Sequence, residues 1–181
     1  MSVDYKWKII VLGEPAVGKT TLMLRYTEKK FRELYIPTVG CQVSKKELAF
    51  DGGSDENKTN VELYVWDIAG QSKFMKVRKV FFEGAHGFFL VYDITSEDSF
   101  NKTAKWFKDL KKSRPFKKEF TGILIGNKID LQDQREVPRK DGIKLAKEMN
   151  VDFEETSAKT GENINEIFER IARTILNKVG E

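Results

Sequence analysis

The sequence predicts an α/β fold: a mostly parallel six-stranded sheet with one antiparallel edge strand and helices on both faces. Three observations carry this expectation. The apolar runs Ile9–Leu12, Phe88–Tyr92 and Ile123–Ile125 each stop at a glycine or an aspartate, and such near-continuous apolar strands belong to a parallel sheet covered on both faces. Helical periodicity fills the gaps between strand signals, as crossover connections require. One connection breaks the alternation. Val43–Phe50 and Val61–Trp66 are separated only by the polar, glycine-bearing stretch Asp51–Asn60, which reads as an antiparallel hairpin.

Taken in order, Ile9–Leu12 is the first strand, stopped by Gly13, and Thr20–Glu28 follows as a helix. The hairpin strands Val43–Phe50 and Val61–Trp66 come next, then Phe88–Tyr92. Phe100, Thr103, Phe107 and Leu110 mark one helical face, and Ile123–Ile125 is the following strand. Pro138 is placed to open a helix, where its missing N–H costs nothing. Val151–Phe153 is a short strand signal. Ile164, Ile167, Phe168, Ile171 and Ile175 fall on one face of a last helix, and Asn163 followed by Glu166 resembles an N-terminal capping box. These stripes read as core.

A chain of 181 residues suits one domain, expected over 5–178, with no second domain. Folding at that size buries roughly 70% of the unfolded surface, so neither disulfide nor structural metal is required. No apolar run approaches the roughly 20 residues of a membrane span, and Met1–Lys8 lacks the apolar stretch of a signal peptide. Cys41 is the single cysteine; it fits a reducing compartment, and a cytoplasmic location is expected. The net charge is +4, with basic and acidic residues interspersed. Lys111, Lys112, Arg114, Lys117 and Lys118 form the densest basic cluster. A nucleic-acid or anionic-lipid patch and a solvated helix end both fit it; the helix end is adopted, and no nucleic-acid partner is expected. A monomer is expected. His86, the only histidine, is assigned a structural role.

Gly13-Glu14-Pro15-Ala16-Val17-Gly18-Lys19-Thr20 matches G-x-x-x-x-G-K-[ST]. It sits between a strand and a helix, the context the motif needs. A polyphosphate carries several negative charges, and successive backbone N–H groups with a helix N-terminus surround it with donors and positive dipole. Lys19 adds a mobile ammonium for the β- and γ-phosphates. The Thr20 hydroxyl is an oxygen ligand for Mg²⁺, a hard ion, and Thr21 next to it joins the candidate nucleotide contacts. By itself this loop does not separate ATP from GTP.

Asn127-Lys128-Ile129-Asp130 directly follows the strand Ile123–Ile125. Ligands of open α/β sheets bind outside the carboxyl ends of the strands, so it should share a rim with the phosphate loop. The Asp130 carboxylate can accept from guanine N1–H and the 2-amino group, which adenine does not offer. A buried polar mismatch of this kind discriminates by orders of magnitude. Ser157-Ala158-Lys159 follows the last strand signal and is placed to close the base pocket with backbone N–H. Asp67, in Asp67-Ile68-Ala69-Gly70-Gln71 after the strand Val61–Trp66, is positioned to hold Mg²⁺ through water. Tyr35-Ile36-Pro37-Thr38 lies in the loop after the first helix.

With all five motifs in order, the chain resembles the Ras superfamily of small GTPases, and within it the Rab branch, over about Lys6 to Lys178. The Rab-like detail rests on Trp66–Gln71, on Phe82-Glu83-Gly84-Ala85-His86-Gly87 and on Glu155–Gly161. The resemblance implies the small G domain of the P-loop NTPases and a switch that binds GTP and GDP with Mg²⁺ and slowly hydrolyses GTP. It implies Phe31 against the guanine or ribose, and Thr38 on Mg²⁺ and the γ-phosphate in the GTP state only. It implies the Gly70 N–H on the γ-phosphate, Gln71 orienting the attacking water, and the Lys128 stem over the base. Gln71, Lys19 and Thr38 are thus the candidate catalytic residues, with Tyr35 among the nucleotide contacts. Two loops, about 31–41 and 69–80, would be the switches read by effectors, exchange factors and GTPase-activating proteins.

Several positions depart from the family pattern. Pro15 has no N–H and a fixed φ and sits where an arginine finger would enter, so slow intrinsic hydrolysis and a weak response to such a finger are expected. Pro15 and the altered flanks also leave room for a second reading, a nucleotide-bound scaffold with little or no hydrolysis. Ile68 and Ser72 replace the usual threonine and glutamate, Cys41-Gln42-Val43 differs from the usual Rab effector segment, and the hairpin loop is long. The C-terminal residues Asn177–Glu181 contain no cysteine, whereas Rab proteins carry prenylated C-terminal cysteines. Either the sequence is truncated or the protein has no lipid anchor.

Overall fold

The computed structural model describes residues 4–29, 38–51, 58–70, 80–113 and 120–179. Its strands are β1 (Tyr5–Leu12), β2 (Cys41–Asp51), β3 (Lys58–Ile68), β4 (Gly87–Asp93), β5 (Thr121–Asn127) and β6 (Asp152–Thr156). Its helices are α1 (Lys19–Glu28), α2 (Glu97–Asn101), α3 (Thr103–Ser113), α4 (Arg139–Met149) and α5 (Ile164–Val179), with a 3₁₀ helix over Ile129–Gln134. The sheet order is β2-β3-β1-β4-β5-β6. Every adjacent pair is parallel except β2–β3, so the expected six-stranded sheet with one antiparallel edge strand is what forms.

Alternation along β1 divides the core. Ile9 and Val11 face one layer with Leu22, Met23 and Tyr26 of α1 and Ile167, Phe168, Ile171 and Ile175 of α5. Ile10 and Leu12 face the other, with Trp106 and Leu110 of α3 and Ala146 of α4. Successive strand side chains point to opposite faces, so a strand apolar at every position is buried twice over. Strand β4 is the extreme case, buried at all seven positions. This two-sided burial fixes the strand ends in space, and the loops that leave β1, β3, β4, β5 and β6 at their carboxyl ends all meet on one rim.

The expected boundaries are revised at several points. The hairpin ladder extends to the pair Asp51–Lys58, so Asp51, Lys58, Thr59 and Asn60 are strand rather than loop; residues 52–57 lie outside the described residues. Asn60 is held there because its N–H donates to Asp4 Oδ2 at 2.8 Å and its carbonyl accepts from the Asp4 N–H. The last strand starts one residue late, because the Val151 N–H is used by the Ala146 carbonyl at the end of α4. The Phe100–Leu110 stripe is two helices broken at Lys102, and α3 buries Thr103, Trp106 and Leu110 while Phe107 is only partly covered. Pro138 is the cap residue before α4, not its first turn. Asn163 makes no capping box: it takes φ 59°, its side chain donates to Glu155 O at 2.8 Å, and Glu166 pairs with Arg170. No described helix is long and apolar enough to cross a membrane.

Phe168 closes the α1–α5 layer. It stacks on Tyr26 with ring centroids 3.8 Å apart and meets Phe89 edge-on at 4.9 Å. Phe168→Ala should destabilise the fold by about 3–5 kcal/mol through lost burial and a residual cavity, read as a lowered urea midpoint at fixed nucleotide concentration.

Candidate functional site

The loop between β1 and α1 is built from residues in unusual backbone conformations. Gly13 has φ +145° and Gly18 has φ +101°, a region that a side chain resists. Space excludes a side chain as well. A Cβ on Gly13 would lie 2.2 Å from the Val91 carbonyl oxygen, and one on Gly18 would lie 2.3 Å from Asn127 Nδ2. Ala16 also takes positive φ, at +65°. Gly18 caps α1 without any side-chain hydrogen bond, and the first turn carries no acidic residue. The helix therefore presents open N–H groups and its positive end to the loop, which suits an anion. Lys19 is 6% exposed, and its Nζ donates to the carbonyls of Gly13 (2.9 Å) and Glu14 (2.7 Å). Pro15 and Ala16 are exposed, Val17 is buried and Thr21 is half-buried.

Oxygen atoms from three separated segments converge beside this loop. The Thr20 and Thr38 hydroxyl oxygens are 2.8 Å apart. Both hydroxyls donate to Asp67 Oδ2, Thr38 from 3.1 Å. Asp67 is fully buried, and its Oδ1 has no hydrogen-bond partner among the described residues. A buried carboxylate oxygen without a partner is costly. Two hydroxyls and an ionisable carboxylate form an all-oxygen donor set, the set that Mg²⁺ takes.

The end of the first loop expected to switch and the start of the second lie against this cluster. The Ala69 N–H donates to Gly40 O at 3.0 Å, joining them through the backbone. Gly70 sits flush on the phosphate loop: a Cβ there would lie 2.6 Å from Gly13 O, Glu14 C and Pro15 N. Cys41 stands nearby as the first residue of β2. Burial, then the Asp67 carboxylate, pushes its thiol up to about 11, so it is neutral and weakly nucleophilic at neutral pH. Phe31, Tyr35 and Gln71 lie outside the described residues, as does most of each expected switch loop.

On the far side of the rim, Asn127 is 1% exposed and does not face solvent. Its Nδ2 donates to Val17 O at 2.9 Å, and its Oδ1 accepts from Thr156 Oγ1 at 3.1 Å and Ala158 N at 3.2 Å. Asp130 is exposed, and its Oδ1 accepts from Ser157 Oγ at 2.6 Å. Lys128 takes φ 72°, and its ammonium pairs with Asp93 Oδ2 at 2.6 Å. Ser157 and Ala158 are buried, whereas Lys159 is exposed and its carbonyl accepts from Arg25.

Sequence reasoning missed the residues that brace these groups. Asp93 anchors Lys128 while its Oδ1 accepts from the Thr95 N–H and hydroxyl. Arg135 grips Glu155 bidentately at 2.7 and 3.0 Å, tying the Asp130 side of the rim to the Ser157 side. That hydrogen bond to Glu155 raises the Arg135 pKa above its ordinary value. Trp106 and Lys102 both reach the Glu14 side chain. Polar residues at the ends of apolar strands, such as Asp93 and Glu155, were the signal available for the first two. Nothing local marked Trp106.

The family model "Ras: Ras family" matches residues 8–177. The chain belongs to the Ras family. It is 38% identical over 177 residues to Ras-related protein Rab-13 of Canis lupus familiaris, covering 98% of this chain and 83% of that protein. It is 40% identical over 178 residues to Ras-related protein Rab-17 of Mus musculus, covering 98% and 79%. Against Ras-related protein Rab-13 of Rattus norvegicus the identity is 37% over 177 residues, covering 98% and 83%. As a Rab-like Ras-family member it is a small GTPase, a guanine-nucleotide-binding enzyme that hydrolyses GTP.

Replacing Gly18 by alanine introduces both a strained φ and a collision with the Asn127 amide. Gly18→Ala should therefore lose bound nucleotide, at least about tenfold in affinity, in a titration with a fluorescent GDP analogue. Near-normal affinity would mean that the loop has room the geometry denies.

Proposed function

We propose that this Ras-family GTPase is a Mg²⁺-dependent switch with slow intrinsic turnover, and that its nucleotide lies along the rim from Gly13 to Lys159. The observation that carries the reading is the convergence of the Thr20 and Thr38 hydroxyls on Asp67 Oδ2, beside a buried Oδ1 that has no partner among the described residues. Those three residues fit Mg²⁺ and would hold it, Asp67 through water. Bound there, Mg²⁺ would supply positive charge to offset that of the phosphates.

The remaining roles follow from the chemistry at each position. Backbone N–H groups from Glu14 and Ala16 to Thr21, with the open start of α1, bind the phosphates. Pro15 supplies none. The Lys19 ammonium now rests on two loop carbonyls and exchanges that contact for the β- and γ-phosphates. Asp130 reads the guanine edge, Ser157 orients it, the Ala158 N–H closes the pocket and the Lys128 stem covers the base. Lys159 and Phe31 flank the nucleoside. Gln71 orients the attacking water, while Gly70, pressed on Gly13–Pro15, donates its N–H to the γ-phosphate. Thr38, which here donates to Asp67, would contact the γ-phosphate only in the GTP state, so the loops about 31–41 and 69–80 would report the nucleotide state to effectors, exchange factors and activating proteins. The backbone bond between Ala69 and Gly40 supports their moving together.

The metal and base assignments are tested together. EDTA should speed GDP release by at least about tenfold, because phosphate charge loses its counter-ion. Asp130→Asn should turn the preference from guanine to xanthine nucleotides, measured by competition. Release insensitive to EDTA removes Mg²⁺ from the site; unchanged base preference removes Asp130.

Pro15 sets the expected rate. Its exposed ring occupies the γ-phosphate side of the loop, so an arginine finger finds the approach narrowed. Pro15→Gly should raise activator-stimulated hydrolysis by about tenfold or more while changing GDP affinity little. Strong stimulation of the unmodified protein by an arginine-finger activator counts against this role.

A further inference from the structure

We infer that Trp106 is a positioning residue for the phosphate loop, acting through the Glu14 side chain; this rests on Gly13–Thr20 being the phosphate cradle. Trp106 Nε1 donates to Glu14 Oε1 at 2.8 Å across 92 positions of sequence. Lys102 Nζ lies 3.4 Å from Glu14 Oε2 and 2.7 Å from Asp98 Oδ2. Both oxygens of the Glu14 carboxylate are therefore engaged by the α2–α3 segment. Trp106 is 5% exposed and sits in the layer with Leu12, Leu90 and Leu110, so its ring is a fixed point.

A carboxylate in the loop that wraps a polyphosphate is an electrostatic liability, since like charges repel across a few ångströms. Here an indole N–H and an ammonium take up that charge. The same anchor orients the backbone of Glu14. That backbone touches two functional groups: the Glu14 carbonyl accepts from Lys19 Nζ at 2.7 Å, and the Gly70 Cβ position lies 2.6 Å from Glu14 C. Helix α3, remote from the nucleotide in sequence, thereby sets where the phosphate-binding lysine and the glycine beside the γ-phosphate are held. A hydrogen bond to a charged acceptor is stronger and more directional than a neutral one, which suits a positioning role.

A double-mutant cycle on GDP release tests this in the full chain. Trp106→Phe and Glu14→Ala should each speed release by about tenfold, the scale of one charge-assisted hydrogen bond. The double variant should be no faster than either single one, because both remove the same link. Glu14→Gln keeps an acceptor for the indole and should stay within about threefold of the unmodified protein. Its Trp106 indole ¹H–¹⁵N resonance, identified by its loss in Trp106→Phe, should move upfield. Glu14 is a half-buried loop side chain, so Glu14→Ala carries the test by itself if Trp106→Phe unfolds. Additive effects, release within twofold of normal in both variants, or an unmoved indole resonance overturn the inference. A protein that binds no guanine nucleotide overturns the phosphate-cradle reading together with it, whereas normal binding with unchanged release overturns the inference alone.

Discussion

The buried amide of Asn127 is the joint on which the rim at the carboxyl ends of the strands depends. One side chain at the end of β5 donates to the Val17 carbonyl in the phosphate loop and accepts from Thr156 and Ala158 after β6. Three chain segments that are far apart in sequence are thereby held in one register. The amide is suited to this because it carries donors and an acceptor on one short, rigid group. Its cost of burial is offset only if all of these partners are present. Gly18 belongs to the same joint, since any side chain there would displace the Asn127 amide. The loop after β1 and the segment after β6 are thereby coupled mechanically through the end of β5.

The rest of the site follows from where the sheet ends. Two-sided burial of β1, β4 and β5 leaves no freedom in strand position, so the residues just beyond each strand are delivered to fixed points. Gly13 follows β1, Asp67 lies near the end of β3, Asp93 ends β4, Asn127 ends β5 and Thr156 ends β6. Each is a polar or small residue placed where an apolar run stops. Beyond them sits a second layer of charge pairs. Asp93 holds Lys128, Arg135 holds Glu155, and Trp106 with Lys102 holds Glu14. Ion pairs that are partly desolvated and bidentate constrain geometry more than they stabilise, which is what a rim assembled from loops requires.

How much of this was legible in the sequence depended on whether the signal was local. The sheet and its antiparallel edge were legible because apolar runs and a glycine-bearing polar loop report burial and turning directly. Element ends were less so. Asn163 and Glu166 had the spacing of a capping box, yet the Glu155 carbonyl near the end of β6 captured the asparagine amide. Lys58–Asn60 looked like loop, yet the ladder with β2 and the contacts to Asp4 drew it into β3. In each case a contact outside the local pattern won over a local propensity.

The sequence by itself determined the fold class, the family resemblance and the residue types at the site. Glycine, lysine, threonine and aspartate at fixed spacing after apolar strands are local chemistry, and spacing is preserved in the linear chain. Only the tertiary structure decided that Asn127 is an internal strut, that Thr20 and Thr38 meet on one oxygen of the buried Asp67 carboxylate, and that Trp106 reaches Glu14. Those are contacts across 18 to 110 positions. They arise from how two faces of one sheet are covered, and no periodicity within a single segment encodes them.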